Sequence, residues 1–398
     1  MDAGDGFDQG QRFPFSFPSH NVSATNPDNS VNWANFSPIS ADPFFDHRNS
    51  VPYLNNYMLS FQRQLTSAAL LTVSYVGNQG HRELVLVSVN PGNPALCLSL
   101  SQVNEVAARS QTCGPGGEDA TYTTASGQAV IGTRQDQIGG SLIVPGNENF
   151  GENTADKSIA NSNYNALETT LRYNRHASQF LLSYTYAKSI DQGSNLGEQL
   201  NPINARQSRA ISAWDLKHDF VASYNLALPV DRLRGPAFLT HDWSLSGVTR
   251  FATGFPVTLF DNSDNSLLGT LGNGANNYLL DTPQYTPGPL HINTNGRNGK
   301  PAFSTSLFQE ENLGQLGNAK RRMFYGPGIE NFDLTLQKSL HFRDAKSLDL
   351  RFEGFNAFNH TQFYGPAAVD GQMEDPSFGN IDNAAAPRLV QFAAKFSF

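Results

Sequence analysis

The chain has 398 residues, with 16% charged, 11% aromatic, 28 Phe, 34 Gly and a formal net charge of −8. Low charge with many aromatics excludes a disordered chain, and an acidic balance with no basic block excludes a nucleic-acid-binding surface. A mean hydropathy of −0.40, with no apolar run of about 18 residues, excludes a transmembrane helix but not a β-barrel, whose spans alternate.

Residues 1–54 are rich in Asn, Asp, Pro, Ser and Phe and show no sustained periodicity, so they read as an extracellular loop region. The acidic start MDAGDGFDQG has no apolar core, so no secretory signal is read there. The first strand is predicted over 56–65, where Tyr57, Leu59 and Phe61 alternate with Met58, Ser60, Gln62 and Gln64. A tight turn leads to a second strand over 69–77, with Leu71, Val73 and Tyr75 on one face. Residues 78–162 read as a long insertion. Its segment HRELVLVSVN extends the hairpin beyond a membrane, and the remainder reads as structureless loop.

The pattern then repeats over 163–174, 179–188, 217–228, 242–252, 329–340, 347–358 and 388–398. In the last of these, Val390, Phe392, Ala394, Phe396 and Phe398 share a face, and the length suits a tilted membrane strand of about 9–11 residues. Short connections alternate with long ones, as in an up-and-down outer-membrane barrel with short periplasmic turns and long extracellular loops. The expected fold is therefore all-β: an antiparallel transmembrane up-and-down barrel of about nine or ten strands, part of a larger one. Nine long strands are counted, but bacterial barrels carry an even number. Either the sequence is the C-terminal part of a longer protein, or a tenth strand lies within 1–54 or 253–328, with 255–260 (FPVTLF) the best candidate.

Leu, Val, Phe and Tyr fill the faces expected to meet lipid. Glu168, Arg172, Asp333, Asp349, Arg351 and Glu353 fall on the opposite faces, which suits a polar lumen. Mutual ion pairing is the expected role of Arg172, Arg351 and Glu353, ahead of contact with substrate or a plug. Tyr75, Tyr173, Tyr186, Trp243 and Phe398 sit near strand ends, where aromatic girdles belong. Phe13, Phe15, Phe17, Phe44, Phe45, Tyr278 and Tyr285 put aromatics in the loops, for ligand contact or for loop packing. Cys97 and Cys113 lie in one Gly/Pro/Ser-rich stretch. They suit either a disulfide, which would constrain the loop by about 3 kcal/mol, or two free thiols.

Catalytic signatures are missing. No GxSxG, HExxH or phosphate-cradling glycine loop occurs, so no enzyme, cofactor or metal centre is expected. His218-Asp219 opens a strand and reads as rim rather than as a catalytic or metal pair. Asp261 to Asn265 (DNSDN) has oxygen ligands for calcium but lacks the glycine and distal glutamate of an EF-hand, so it reads as a solvated loop.

Several segments carry a family likeness: YNALETTLRY with LLSYTYAKSID, RQSRAISAWDLKHDFVASYNLALP, WSLSGVTRFATGFPVTL, RFEGFNAFNHTQF and FGNIDNAAAPRLVQFAAKFSF. In their order and spacing the chain resembles the Oar-like family of TonB-dependent receptors over most of 55–398. That resemblance implies a 22-stranded barrel filled by an N-terminal plug, of which 55–398 would be the C-terminal part, and no plug segment is read here. It further implies energised uptake of an unidentified ligand, with outer-membrane lipid, the barrel-assembly machinery and, through the plug, the TonB complex as partners. The terminal aromatic strand, with Phe392, Phe396 and Phe398, resembles the signal that the assembly machinery reads. The competing expectations are a passive porin-like or structural barrel, and a secreted all-β adhesin or carbohydrate-active protein.

Overall fold

The structure is a computed structural model. It describes residues 39–107, 113–118, 120–123, 129–134, 150–175, 177–269, 281–342 and 346–398. Most of the 1–54 region and the loop aromatics Phe13, Phe15, Phe17 and Tyr278 lie outside them.

Nine long strands follow one another: β1 (Tyr53–Thr66), β2 (Ala69–Ser88), β3 (Phe150–Arg175), β4 (Ser178–Asp191), β5 (His218–Ala227), β6 (Trp243–Ala252), β7 (Ile329–His341), β8 (Ser347–Phe355) and β9 (Leu389–Ser397). Each pairs antiparallel with the next, so the sheet keeps chain order from β1 to β9. Among the described residues β1 and β9 are not paired with each other, so the nine strands form an open wall of a barrel. Because neighbours are antiparallel, all short connections gather at one end of the wall and all long ones at the other.

The strand core lengths match the periodicity, but the strands overrun it at the long-loop end. β2 has 20 residues and β3 has 26, against about 9–11 for a membrane crossing. The overrun of β3 carries a further strand, Ile39–Phe45, paired in parallel, with Phe44 opposite Ala155 and Phe45 opposite Asp156. This corrects the reading of 1–54 as loop throughout. Such pairing needs backbone hydrogen bonds but no apolar alternation, so periodicity does not announce it.

The insertion 78–162 is also not structureless. Besides the ends of β2 and β3, it holds the helix α1 (Pro94–Ala107) and a hairpin of Thr121–Thr123 with Ala129–Ile131. A start signal for α1 was present: Pro94 is its first residue, and the Asn93 side chain accepts from the Leu96 amide at 3.1 Å. Residues 255–260 form no wall strand. Pro256 and Phe260 make single bridges to Tyr325 and Gln372, while Val257 and Leu259 turn into the core of the long-loop cap. Their alternation answers a small globular core, not a bilayer.

Little apolar surface is buried on the wall itself. Leu59, Phe61, Phe352 and Phe392 are exposed, the last at 80%. The buried clusters instead lie at the long-loop end. Val257, Leu259, Ala302, Phe303, Phe308, Ala319, Phe324 and Val369 form the largest. Val85, Val87, Ala160 and Leu200 form another where the strand extensions meet the 192–217 connection.

Candidate functional site

The pairing register sorts the wall into two chemistries. Leu71, Leu171 and Leu182 are laterally matched, as are Tyr224 with Gly247 and Leu334, and Leu336 with Phe352 and Phe392. These positions make one apolar band. From Trp243 to Phe251 the band runs about 26 Å along β6, close to the roughly 25 Å apolar belt of membrane barrels. Tyr173 and Trp243 stand at its short-turn end, and Tyr75 and Tyr186 toward the other. A contiguous exposed apolar band this large needs an apolar solvent.

Ser60 with Ser74, Gln62 with Thr72, and Ser339 with Asp349 share hydrogen bonds on the other face. Asp219 receives Nε and Nη2 of Arg250 at 2.9 and 3.1 Å. His218 points to the opposite face, where its Nδ1 lies 2.8 Å from the Tyr184 hydroxyl. The two adjacent residues are therefore not a catalytic pair. Among the described residues the expected mutual ion pairs of Arg172, Arg351 and Glu353 are not found. Arg351 donates to Gln337 at 3.1 Å, and Glu353 accepts from Gln391. Amides can satisfy these groups because both face an open polar surface. Lys338, like Arg63 and Glu330, is a charged residue near a strand end in the register of the apolar face. It is buried, donates to the carbonyl oxygens of His241 and Ser339, and lies 5.8 Å from the Trp243 ring. Its ammonium thus reaches out of the band to the short-turn rim.

The long connections build an ordered cap. Two adjacent arginines lock it. Arg321 and Arg322 are each 2% exposed and converge on Glu198, itself 2% exposed. Arg321 also donates to the Ser208 carbonyl at 2.9 Å and faces Asp191 at 3.5 Å, and Arg322 donates to Thr258 at 2.9 Å. Two cations and two carboxylates cancel, which is what makes their burial tolerable. Burial lowers both guanidiniums to about 10, partly offset by Asp191, so both stay charged at neutral pH. This lock was not legible: RR in a loop marks a basic pair, but its partners lie 123 and 124 residues away.

Cys97 and Cys113 are disulfide-bonded, with Cα atoms 5.3 Å apart, and pack with Leu100, Tyr122 and Leu267. The bridge ties α1 to the following loop and sets both against the cap. Of the loop aromatics, Tyr285 packs on Phe308 at 5.2 Å, whereas Phe45 is exposed.

Beside the lock lies a cluster of carboxyls: Asp261, Asp264, Asp281, Glu311 and Glu374. Asp261 and Asp264 are 4% and 2% exposed, while Asn262 between them is exposed, so the DNSDN loop is solvated only in part and buries its two aspartates. The Ser263 amide donates to Asp261 at 2.8 Å, Ser266 donates to Asp281 at 2.7 Å, and the amides of Gly116 and Gly269 donate to Asp264 at 3.0 Å. Burial raises Glu311 to about 9, helped by the facing Asp261. Burial also raises Asp281 to about 7, with Asp264, Asp261 and Glu374 adding repulsion. Burial works against the charge on Asp261 too, but hydrogen bonds from Glu374, Ser263 and Glu311 outweigh it and hold that carboxyl low. Among the described residues no three His, Cys, Asp and Glu side chains already stand as a metal cage.

A cavity of about 750 Å³ is lined by Tyr184, His218, Phe220, Phe251, Arg297 and Glu330, among others. Of its wall-strand residues, Tyr184, His218, Phe220, Phe251 and Glu330 belong to the apolar-band face, and the paired Ala252 and Ile329 to the other.

The family model for the outer membrane beta barrel domain matches residues 4–391. The chain belongs to this outer-membrane β-barrel family. The apolar band is therefore the lipid face of an outer-membrane protein, and the polar face lines the lumen. In fold this outer-membrane barrel is similar to the crystal structure of the outer membrane transporter YddB from Escherichia coli, with 8% identity and a TM-score of 0.41. The match covers 89% of this chain and 34% of that one, so the barrel described here spans about a third of the length of YddB. No curated protein matches the sequence.

Proposed function

We propose that this outer-membrane barrel is the membrane-spanning part of a TonB-dependent receptor of the Oar-like kind, which binds a ligand at its long-loop cap for energised uptake. The observation that carries this reading is the cap. The 253–328 connection shares a core with the last connection, packs Leu267 against the Cys97–Cys113 region of the first, and is locked to the 192–217 connection by buried Arg321 and Arg322. Loops that serve only to join strands gain nothing from a core of their own, whereas a preorganised capture surface does. The ordered family-like segments from YNALETTLRY to the terminal Phe398 support the same assignment. In this reading the partners are lipid, the barrel-assembly machinery through the terminal aromatic strand, and TonB through a plug. Nucleic acid, a cofactor and catalysis have no part in it.

The test is in-vivo cross-linking of the protein in its native outer membrane, followed by identification of what it captures. Recovery of TonB supports energised uptake. Failure to capture TonB, together with steady conductance steps in planar bilayers, would instead make the protein a passive channel.

A further inference from the structure

The connection between β5 and β6 carries a short helix, α2 (Ala237–Thr240), at the short-turn end of the wall. Trp243 ties it to the lipid side, because the indole Nε1 donates to the Leu239 carbonyl at 2.7 Å. Phe238 and Leu239 of α2 are exposed. Between them and the wall lies a groove of about 700 Å³, lined by Leu336, Leu350, Phe352 and Phe392 of the apolar band and bordered by the alternating Arg351 and Ala393. Ala394 leaves a gap in its floor, between Phe392 and Phe396 on the same face and opposite Leu350. Toward mid-membrane the surface stays low at Gly247 and Gly354, which flank Leu334.

Lys338 lines the same groove and is 7% exposed. Its ammonium has three protons to donate. The carbonyls of His241 and Ser339 take two of them. Among the described residues no carboxylate stands within ion-pair distance of it. Asp242 on the rim is turned to His341 at 3.9 Å, and Asp349 accepts from Ser339 on the lumen face. A buried cation balanced only by neutral carbonyls and the Trp243 ring lacks a counter-charge.

We propose that this groove binds one anionic phospholipid of the periplasmic leaflet, with an acyl chain along the groove and the phosphate on Lys338. The short turns of such barrels face the periplasm, so the groove opens into that leaflet. A phosphate oxygen supplies both the third acceptor and the missing negative charge. Trp243 beside Lys338 marks the interface depth at which a headgroup sits. From there the chain runs past Leu336, Phe352 and Phe392 toward mid-membrane. A zwitterionic headgroup brings its own ammonium and balances Lys338 less well. Free phosphate offers nothing to the apolar walls. The site rests on the lipid face alone and does not depend on energised uptake or on TonB.

The test uses the full chain folded in nanodiscs of phosphatidylglycerol and phosphatidylcholine in equal parts, with heat-modifiable migration as the check of folding. Native mass spectrometry then counts the lipids kept when the surrounding bilayer is stripped away. One phosphatidylglycerol should stay on each barrel, and glycerophosphate added in solution should not displace it. Lys338→Met should weaken its retention by roughly tenfold or more, the scale of one charge-assisted hydrogen bond. Lys338→Arg should keep it. Ala394→Phe fills the groove, leaves Lys338 in place and should also lose the lipid. Arg63→Met removes a charge from the same face on β1, outside the groove, and should change nothing. A folded wild type that keeps phosphatidylglycerol no better than phosphatidylcholine would overturn the proposal. So would full retention in both Lys338→Met and Ala394→Phe, an equal loss in Arg63→Met, or displacement by glycerophosphate. A dimer that Ala394→Phe splits, with the lipid count unchanged, would give the groove to a second copy of the chain instead.

Discussion

Arg322 reaches the buried carboxylate of Glu198 from a connection 124 residues further along the chain, and both side chains are 2% exposed. Glu198 belongs to the connection between β4 and β5, and Arg322 to the one between β6 and β7. The contact therefore joins two long loops, which also meet where the Ile211 amide donates to the Arg322 carbonyl at 3.4 Å.

Removing that carboxylate leaves two buried guanidiniums with only Asp191 to balance them. Glu198→Ala should destabilise the cap by about 3–5 kcal/mol, the scale for breaking one side of a buried ion pair. Hydrogen exchange and limited proteolysis should show the 192–217 and 253–328 connections opening while the wall stays protected. Equal protection in both proteins would mean that the lock does not hold the cap.

Leu334 faces lipid at mid-strand, beside Gly247 and Gly354, whereas Thr335 faces the lumen beside Ser246 and Glu353. Leu334→Lys should cost about 2–4 kcal/mol in the membrane, and Thr335→Lys far less. The readout is the folded, heat-modifiable fraction in outer membranes. Equal fractions would reverse the assignment of faces.

The bridge from Cys97 to Cys113 has a sequence separation of 16, which corresponds to about 3 kcal/mol of constraint on the unfolded segment. Replacing both with Ser should leave wall assembly unchanged and make the α1 region cleavable by protease. Unaltered cleavage would show that packing against Leu267 suffices without the bridge.

Glu311 is raised from its ordinary 4.5 to about 9, and Asp281 from 3.8 to about 7. Between those limits the folded cap holds protons that the unfolded chain has released. Stability must then fall as pH rises from about 4.5 toward 9. Cap opening followed by hydrogen exchange at pH 5, 7 and 9 checks the direction. Rising protection over that range would contradict it.

Phe398 is 96% exposed, just past β9, and stacks beside Phe396 at 6.2 Å. If the assembly machinery reads this end, deleting Phe398 should lower the folded amount in the outer membrane without changing the cap in the molecules that do assemble. Unchanged insertion would remove Phe392, Phe396 and Phe398 from that role.

The nine strands and their two faces were legible because a bilayer imposes one rule along every crossing. Phe220, Ala222, Tyr224 and Leu226 alternate with Asp219, Val221, Ser223 and Asn225 whatever lies elsewhere in the chain. The cap obeys no such rule. Val257 and Leu259 alternate too, and read as a missing strand, because a two-residue period says that a face is buried but not against what.

By itself, then, the sequence determined the all-β class, nine alternating strands with a tenth left open, the sidedness of the connections and the division between lipid and lumen. Each of these follows from local periodicity meeting a uniform solvent. Only the tertiary structure decided that Ile39–Phe45 pairs with β3, that Arg321 and Arg322 close on Glu198, and that Asp261 meets Asp281, Glu311 and Glu374. Those contacts join residues tens to more than a hundred positions apart, through groups whose burial depends on how the loops fold over one another. No local pattern encodes that.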